Sequence, residues 1–161
     1  MFTITGIVVI LCVYQLFNIG RNILKISAKI RTDFKVTTLK DELNKLTKEE
    51  YIEWCIEYLK SKKYNYVSKL DDSTIVCNIN GEKIYVSCVK AEELNRKNIY
   101  KLFGLKGINR VNKLATLSNA SEQDIGEETL RDFHKLGIET IGIGEFDISY
   151  EEYVRSNRFF A

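Results

Sequence analysis

Proline is absent from this chain of 161 residues, and histidine occurs only once, as His134. The lack of proline excludes a proline-rich linker. The cysteines form no CxxC pair, whereas a structural zinc site needs cysteine and histidine ligands at such short spacings. Scattered cysteines in apolar surroundings are typical of reduced core residues in the cytosol. They are Cys12, Cys55, Cys77 and Cys88.

An excess of either charge is also lacking, because 24 basic residues stand against 22 acidic ones and the net charge is +2. Total charge therefore does not by itself predict a nucleic-acid partner. Charged residues make up 29% of the chain and apolar ones 45%, which is typical of a folded protein rather than a disordered one. The length allows one domain and an appendage.

The N-terminal segment carries no charged side chain from Phe2 to Ile19. A helix of that length measures about 27 Å, which is close to the apolar thickness of a bilayer. A cleaved signal peptide would have a basic start and a small-residue cleavage site, and both are missing. A buried core helix would rarely be apolar on every face. We therefore predict a transmembrane anchor over residues 1–20.

A basic segment, residues 21–46, follows the predicted anchor. By the positive-inside rule this flank stays in the cytoplasm, which leaves the N-terminus outside and makes the protein single-pass. We interpret the segment as a juxtamembrane helix and linker that is attracted to anionic lipid headgroups. Its first six basic residues are Arg21, Lys25, Lys29, Arg31, Lys35 and Lys40.

The remaining residues, 47–161, are predicted to form one α/β domain. Thr47 and Glu50 have the spacing of a capping box, and Asn80-Gly81 is the strongest short-range signal for a hairpin turn. The predicted helices cover 48–61, 95–106 and the stretch from Ser121 to Gly137, and a further capping box at Ser149 predicts a short terminal helix. The predicted strands cover 64–70, 74–79, 83–90, 111–117 and 138–143.

This order, α-β-β-β-α-β-α-β, predicts a mixed sheet with helices on both faces, because a hairpin-built start is followed by βαβ crossovers. On the second predicted helix, Ile99, Leu102 and Phe103 are expected to be buried.

The same order is the core of the restriction-endonuclease-like superfamily, and the residues between about 47 and 147 resemble its Mrr-type branch. The likeness lies in an acidic first helix, the residues before the first strand, the hairpin, a lysine at the end of the third strand and a polar segment after the fourth. These are Glu49–Trp54, Lys63-Tyr64, Asn80–Val86, Lys90 and Leu117–Asn119.

The resemblance implies a DNA endonuclease that hydrolyses phosphodiesters with Mg²⁺. In that family an Asp at the start of the second strand binds the metal, often with a Glu of the first helix, and a lysine acts on the attacking water. Here Thr74 stands in the place of the Asp, and Cys88 in the place of the polar residue two before the lysine. Neither is a good ligand for Mg²⁺.

Asp72 is therefore our candidate metal ligand, together with Glu50, and Lys90 is the candidate catalytic lysine. Asp72 would share the face of Thr74 if the strand extended that far, because side chains alternate along a strand. The alternatives are that Asp71 and Asp72 form a turn and that Lys90 ends a strand in solvent. We expect a degenerate domain, although a weak Mg²⁺-dependent endonuclease remains an alternative.

A stretch without acidic residues, from Leu94 through Ser121, carries six basic ones. Such a patch would contact DNA phosphates without reading sequence, and the alternative is a solvated helix face. A second hypothesis keeps the fold and drops the chemistry, which gives a catalytically inert, membrane-tethered module for a protein partner. The candidate DNA-binding residues are Arg96, Lys97, Lys101, Lys106, Arg110 and Lys113.

Overall fold

The structure, a computed structural model, describes residues 2–109, 111, 113–120 and 124–157, without the side chains of residues 2–10, 108, 109, 145, 148 and 157. The chain divides into two compact units, Met1–Thr37 and Thr38–Ala161. One helix, α1 (Phe2–Lys45), forms the first unit and supplies the first helical turns of the second.

No helix within the described residues is both long and apolar enough to cross a membrane. The anchor predicted over residues 1–20 lies partly outside the described residues, since these exclude residue 1 and the side chains of residues 2–10. It therefore stays a prediction.

The second unit is built on a five-stranded sheet in the order β1-β2-β3-β4-β5. Strands β1, β2 and β3 are antiparallel neighbours, whereas β3, β4 and β5 run parallel. The predicted α/β class with a mixed sheet and flanking helices is thus confirmed. The elements are α2 (Lys48–Ser61), β1 (Asn65–Lys69), β2 (Thr74–Ile79), β3 (Glu82–Cys88), α3 (Arg96–Asn109), β4 (Lys113–Leu117), α4 (Glu127–Leu136), β5 (Ile138–Ile141) and α5 (Ile148–Asn157).

Helices cover the two faces of the sheet because the strands bury apolar side chains on both sides. On one face Tyr85, Leu114 and Ile138 form a cluster with residues of α3 and α4. On the other face α2 packs through the fully buried Trp54, which stacks on Tyr58 with ring centroids 5.4 Å apart. Apolar area removed from water on both faces is the main source of stability in such a domain.

Three local sequence signals are realised as predicted. The Thr47 side chain accepts a hydrogen bond from the Glu50 N–H (3.3 Å), and the Glu50 carboxylate accepts one from the Thr47 N–H (2.7 Å), which is a complete capping box. The hairpin residues Asn80 and Gly81 both have positive φ, 52° and 82°, as a type I′ turn requires. Gly137 ends α4 with φ 63°.

Three predictions of detail are wrong. Phe103 is 40% exposed rather than buried, because α3 packs through Ile99 and Leu102. Helix α5 begins before Ser149, where Asp147 accepts a hydrogen bond from the Ser149 N–H (3.0 Å) and thus takes the capping role. Helix α4 begins at Glu127 with Gly126 as its N-cap, and not at Ser121, a residue that itself lies outside the described ones.

Candidate functional site

The predicted metal ligand Asp72 lies in the turn between β1 and β2, and its side chain is 88% exposed. Its only ion pair in the described part of the chain is with Lys69, at 3.4 Å. The neighbouring Asp71 holds the turn, accepting hydrogen bonds from the Ser73 N–H (2.8 Å) and hydroxyl (3.2 Å). The alternative interpretation of this pair, a turn rather than a metal site, is therefore the one that the structure supports.

Lys90 follows β3 and turns toward the end of α1. Its ammonium group donates hydrogen bonds to the backbone carbonyls of Asn44 (2.9 Å) and Leu46 (2.5 Å). The last carbonyls of a helix lack partners within the helix, and a lysine ammonium satisfies them well. Lys90 is thus occupied in holding the backbone.

Glu50 is occupied in the same way by the capping box of α2. Hydrogen bonds from the Thr47 N–H and hydroxyl lower the pKa of the Glu50 carboxyl, and nearby Lys90 lowers it further. The structure therefore brings Glu50 and Lys90 close together. Among the described residues, no polar contact joins either of them to Asp72.

The register of the sheet corrects the assignment of the family positions. Thr74 pairs with Ser87 across β2 and β3, so these two side chains share a face. Because side chains alternate, the next residue of the chain on that face is Val89, and Cys88 belongs to the other face. If Thr74 marks the place of the metal-binding Asp, the polar and lysine positions beside it are Ser87 and Val89. On that assumption, Cys88 and Lys90 are each one residue away from the positions on the face of Thr74.

These positions are buried and uncharged. Thr74, Ser87 and Val89 are exposed by 2%, 5% and 2%, respectively. The row continues into β4, where Thr116 pairs with Ser87 and is also buried. The hydroxyls of Thr74, Ser87 and Thr116 thus form a row on one face of the sheet. At this place the resemblance implies a carboxylate, an acidic or amide side chain and the metal that they bind.

The carboxylate nearest this row is that of Asp71, which interacts with the Thr74 hydroxyl. Partial burial acts to raise the pKa of Asp71, but the Ser73 N–H and the Lys101 ammonium outweigh it and lower that pKa. Lys101 of α3 lies 3.1 Å from the Asp71 carboxylate. A protein cation therefore neutralises this acid.

The residues present do not fit the Mg²⁺ ion that the resemblance implies. Mg²⁺ prefers several oxygen ligands, usually including carboxylates, at near-octahedral geometry. Within the ranges that the structure describes, no group of three or more histidine, cysteine, aspartate or glutamate side chains could hold a metal ion. The two predicted ligands, Asp72 and Glu50, are engaged separately with Lys69 and Thr47.

A cavity of about 190 Å³ lies beside the end of β3, on the face of Cys88. Basic and acidic side chains both reach it, so it presents no uniform charge to a ligand. The Tyr51 hydroxyl donates a long hydrogen bond to the Val89 carbonyl (3.4 Å) from one wall, and burial raises the pKa of that phenol. The cavity is lined by Lys48, Tyr51, Cys88, Lys90, Glu92 and Glu93.

The three cysteines of the second unit are buried and free, as predicted for reduced core residues. Burial raises the pKa of the Cys77 thiol to about 12 and raises that of Cys55 as well. Because the thiolate is the reactive form, these thiols are poor nucleophiles at neutral pH.

The predicted basic surface is largely neutralised by acids of the same domain. The Arg96 guanidinium lies 2.7 Å from Asp132, which holds the pKa of that carboxyl below its usual range. Lys113 pairs with Glu82 at 2.9 Å, and Lys101 is the partner of Asp71. Arg110 lies outside the described residues.

The outward face of α3 keeps cationic and aromatic groups available. Lys97 is exposed and makes no ion pair with any residue that the structure describes. Lys106 makes none either, but it lies nine residues, or about two and a half helical turns, after Lys97 and therefore on the opposite side of α3, with the buried Ile99 and Leu102. Tyr100 and Phe103, at 50% and 40% exposure, lie on the same side of the helix as Lys97.

Two glycines, Gly104 and Gly107, lie on this same side of α3. An added Cβ at either position would meet no described atom within 4 Å. Glycine inside a helix costs about 1 kcal/mol relative to alanine, so packing within the domain does not account for them.

Two polar residues have roles that sequence reasoning missed. The fully buried Asn119 amide accepts a hydrogen bond from the Ala91 N–H (2.8 Å) and donates one to the Asn44 side chain (2.6 Å). Its place just after a buried strand was the available signal. Glu151 is 1% exposed on α5 and lies near Trp54, and no local pattern indicated its burial.

No protein-family model matches this chain, and no significant match to it was found among curated proteins or solved structures.

Proposed function

We propose that this chain is a membrane-anchored domain of the restriction-endonuclease-like, Mrr-type fold that binds DNA without cleaving it. Support for the fold comes from the order of elements, α-β-β-β-α-β, around a mixed sheet, which is the order on which the resemblance rests. Support for the anchor comes from the sequence alone, in the uncharged run from Phe2 to Ile19 and the basic residues behind it.

The observation that carries the proposal is the state of the would-be catalytic positions. Thr74, Ser87 and Val89 place neutral, buried groups where hydrolysis would need a metal-binding carboxylate and a lysine. Lys90 and Glu50, the charged groups nearest this end of the sheet, hold backbone atoms instead. With no ligand set for a metal among these residues, binding is the function that the geometry supports best.

DNA would contact the outward face of α3. Lys97 would neutralise a phosphate there, because no carboxylate among the described residues pairs with it. Contacts of this kind position DNA without reading its sequence. The open surface beside Gly104 and Gly107 would let a phosphodiester backbone approach the helix closely.

Binding of the full chain, in detergent, to a fluorescent 20-base-pair duplex tests the proposal at 50 and 200 mM salt. We expect binding at low salt that weakens as salt rises, and no cleavage with Mg²⁺ or Mn²⁺. The variant Lys97→Ala should reduce the slope of log affinity against log salt by about 0.9, which is the contribution of one phosphate contact.

The matched control is Lys135→Ala, which removes one exposed lysine from α4. It should leave the salt slope within error of the unchanged chain. Metal-dependent cleavage by the unchanged chain would contradict the proposal that the site is inactive. An equal DNA affinity for the α3 variant and the unchanged chain would contradict the proposed binding surface.

A protein partner on the same face of α3 is the second candidate. The pairing of Arg96, Lys101 and Lys113 with acids favours it, because that pairing removes half of the predicted phosphate contacts. Exposed aromatic side chains such as Tyr100 and Phe103 are also typical of the centres of protein interfaces. An absence of DNA binding at 50 mM salt would remove the first candidate and leave this one.

A further inference from the structure

The first unit exposes apolar side chains on several faces of α1, Phe17, Leu24 and Phe34 among them, and one set of these side chains forms a regular series. The side chains of Leu16, Ile19, Ile23, Ile26 and Ile30 are between 52% and 68% exposed, and Cys12, one step earlier in the series, is exposed too. Successive members are four and three residues apart in strict alternation. An average spacing of 3.5 residues is the heptad repeat of a coiled coil, with Leu16, Ile23 and Ile30 at a positions and Cys12, Ile19 and Ile26 at d positions. We name these six residues the seam.

Charge is kept away from the seam. Arg21, Lys25, Arg31 and Lys35 fall at the b, c and f positions of the repeat, which face away from a partner helix, and only Lys29 lies at a flanking g position. The flanking e positions next to the seam include Gly20 and Ser27, whose small side chains allow two helices to approach closely. The repeat ends where its next d position is occupied by the acidic Asp33.

We propose that the seam is the interface through which two copies of this chain associate as a parallel coiled coil. The interface is self-complementary because each copy presents the same uncharged ridge, with its like charges turned outward. Of the seam, Ile23, Ile26 and Ile30 lie beyond the proposed anchor, and at on the order of 100 Å² for each branched apolar side chain these residues of two copies would bury roughly 600 Å² from water. That is below the usual range of stable interfaces, so we expect a weak dimer.

A lipid surface is the other occupant to consider. If residues 2–19 span a bilayer as proposed above, α1 would have to bend before residues 20–37 could lie along the surface. The helix is unbroken from Phe2 to Lys45. This step rests on the proposed anchor, whereas the heptad spacing and the charge placement do not.

Cysteine cross-linking of the full chain in neutral lipid vesicles tests the dimer. Each residue from Asn22 to Arg31 is replaced singly by cysteine in a Cys12→Ser background, and an aerobic copper–phenanthroline catalyst oxidises each pair of thiols to one disulfide while oxygen is reduced. The other three cysteines are buried, so the background alone should give no dimer. Cross-linking should be greatest at positions 23, 26 and 30 and least at 25 and 28.

A second measurement covers the outcome in which a seam variant simply disturbs the helix. Sedimentation of Ile26→Glu should show a dissociation constant raised at least about ten-fold, because one charge at a d position opposes its copy. The matched control Leu24→Glu, at an outward b position, should change it less than about two-fold. Circular dichroism of both variants should match the unchanged chain.

The dependence of cross-linking on salt and on lipid charge distinguishes a second copy of the chain from a lipid surface as the partner of the seam. Raising NaCl from 50 to 500 mM should increase the cross-linked fraction, because screening weakens repulsion between the basic outer faces. A cross-linking pattern without the 3.5-residue period, or maxima at positions 25 and 28, would overturn the proposal. Loss of cross-linking when anionic lipid is added would overturn it in favour of a lipid-covered seam. Neither result bears on DNA binding through α3, which is measured separately.

Discussion

Replacing Glu151 by glutamine should stabilise this protein at neutral pH. Glu151 is 1% exposed on α5, and neither of its carboxylate oxygens has a well-formed hydrogen bond with a described residue. Burial raises its pKa to about 8, and the favourable effects of the nearby Trp54 indole, Arg155 and Lys62 offset only part of that cost. Arg155 is shared with Glu42, which lies 2.7 Å away.

The magnitude follows from the proton that the folded chain must hold. An unperturbed glutamate has a pKa near 4.5, so keeping the buried carboxyl protonated at pH 7 costs about 3 kcal/mol, at about 1.4 kcal/mol per pH unit. Because the folded-state pKa is raised, the full stability is present below pH 4.5 and is lost progressively as the pH rises to 8. Glutamine keeps the shape without this cost.

Urea denaturation followed by the fluorescence of Trp54, the only tryptophan, measures the effect. Glu151→Gln should unfold with the same free energy as the unchanged chain near pH 4, and with about 2–3 kcal/mol more near pH 7. The control Glu49→Gln, at an exposed position of α2, should leave the pH dependence unchanged. A Glu151→Gln protein that is less stable than the unchanged chain at pH 7 would refute the reasoning, because the carboxylate would then be stabilised by contacts that glutamine cannot make.

Two further outcomes concern groups that hold the backbone. Lys90→Met should lower the free energy of unfolding by about 1–3 kcal/mol, because the carbonyls of Asn44 and Leu46 lose their donor. Lys90→Arg should recover part of that loss. Equal urea midpoints for Lys90→Met and the unchanged chain would show that the contact is not stabilising. Gly137→Ala should cost about 1 kcal/mol, because alanine is strained at φ 63°. Thermal unfolding next to the exposed control Gly144→Ala, where φ is not positive, measures that cost, and a loss no greater than the control's would contradict it.

The fold was predictable because its signals are local. The capping box at Thr47 and the turn at Asn80-Gly81 each depend on residues within four positions of one another, and both appear as expected. Alternation of apolar residues then located the strands, and the lengths of the connections favoured a mixed sheet. The prediction that Phe103 is buried was wrong because α3 is apolar on more than one face, so that periodicity alone could not identify the buried face.

The site was harder to predict because it depends on register. A shift of one residue along a strand moves every side chain to the other face, and the residues on the face of Thr74 are Ser87 and Val89 rather than Cys88 and Lys90. The partners of Lys90 lie more than 40 positions earlier in the chain, at the end of α1. No local pattern contains a contact of that kind.

Glu50 illustrates how a local role and a distant one compete for the same side chain. Its carboxylate had two predicted roles, as the helix cap of α2 and as a metal ligand. The cap prevails, since its partner Thr47 is three residues away and a metal would need a second carboxylate that Asp72 does not supply.

The neutral character of Thr74, Ser87 and Val89 is consistent with tight packing at this end of the sheet. A carboxylate or a lysine buried at Thr74 or Val89 would need a partner or water to offset the cost of burial. Neutral residues carry no such cost, and they allow both faces of β3 to be covered by helices. On the proposed function the chain would act through its exposed surfaces, and the outer face of α3 and the seam of α1 group a lysine, aromatic rings and exposed apolar side chains.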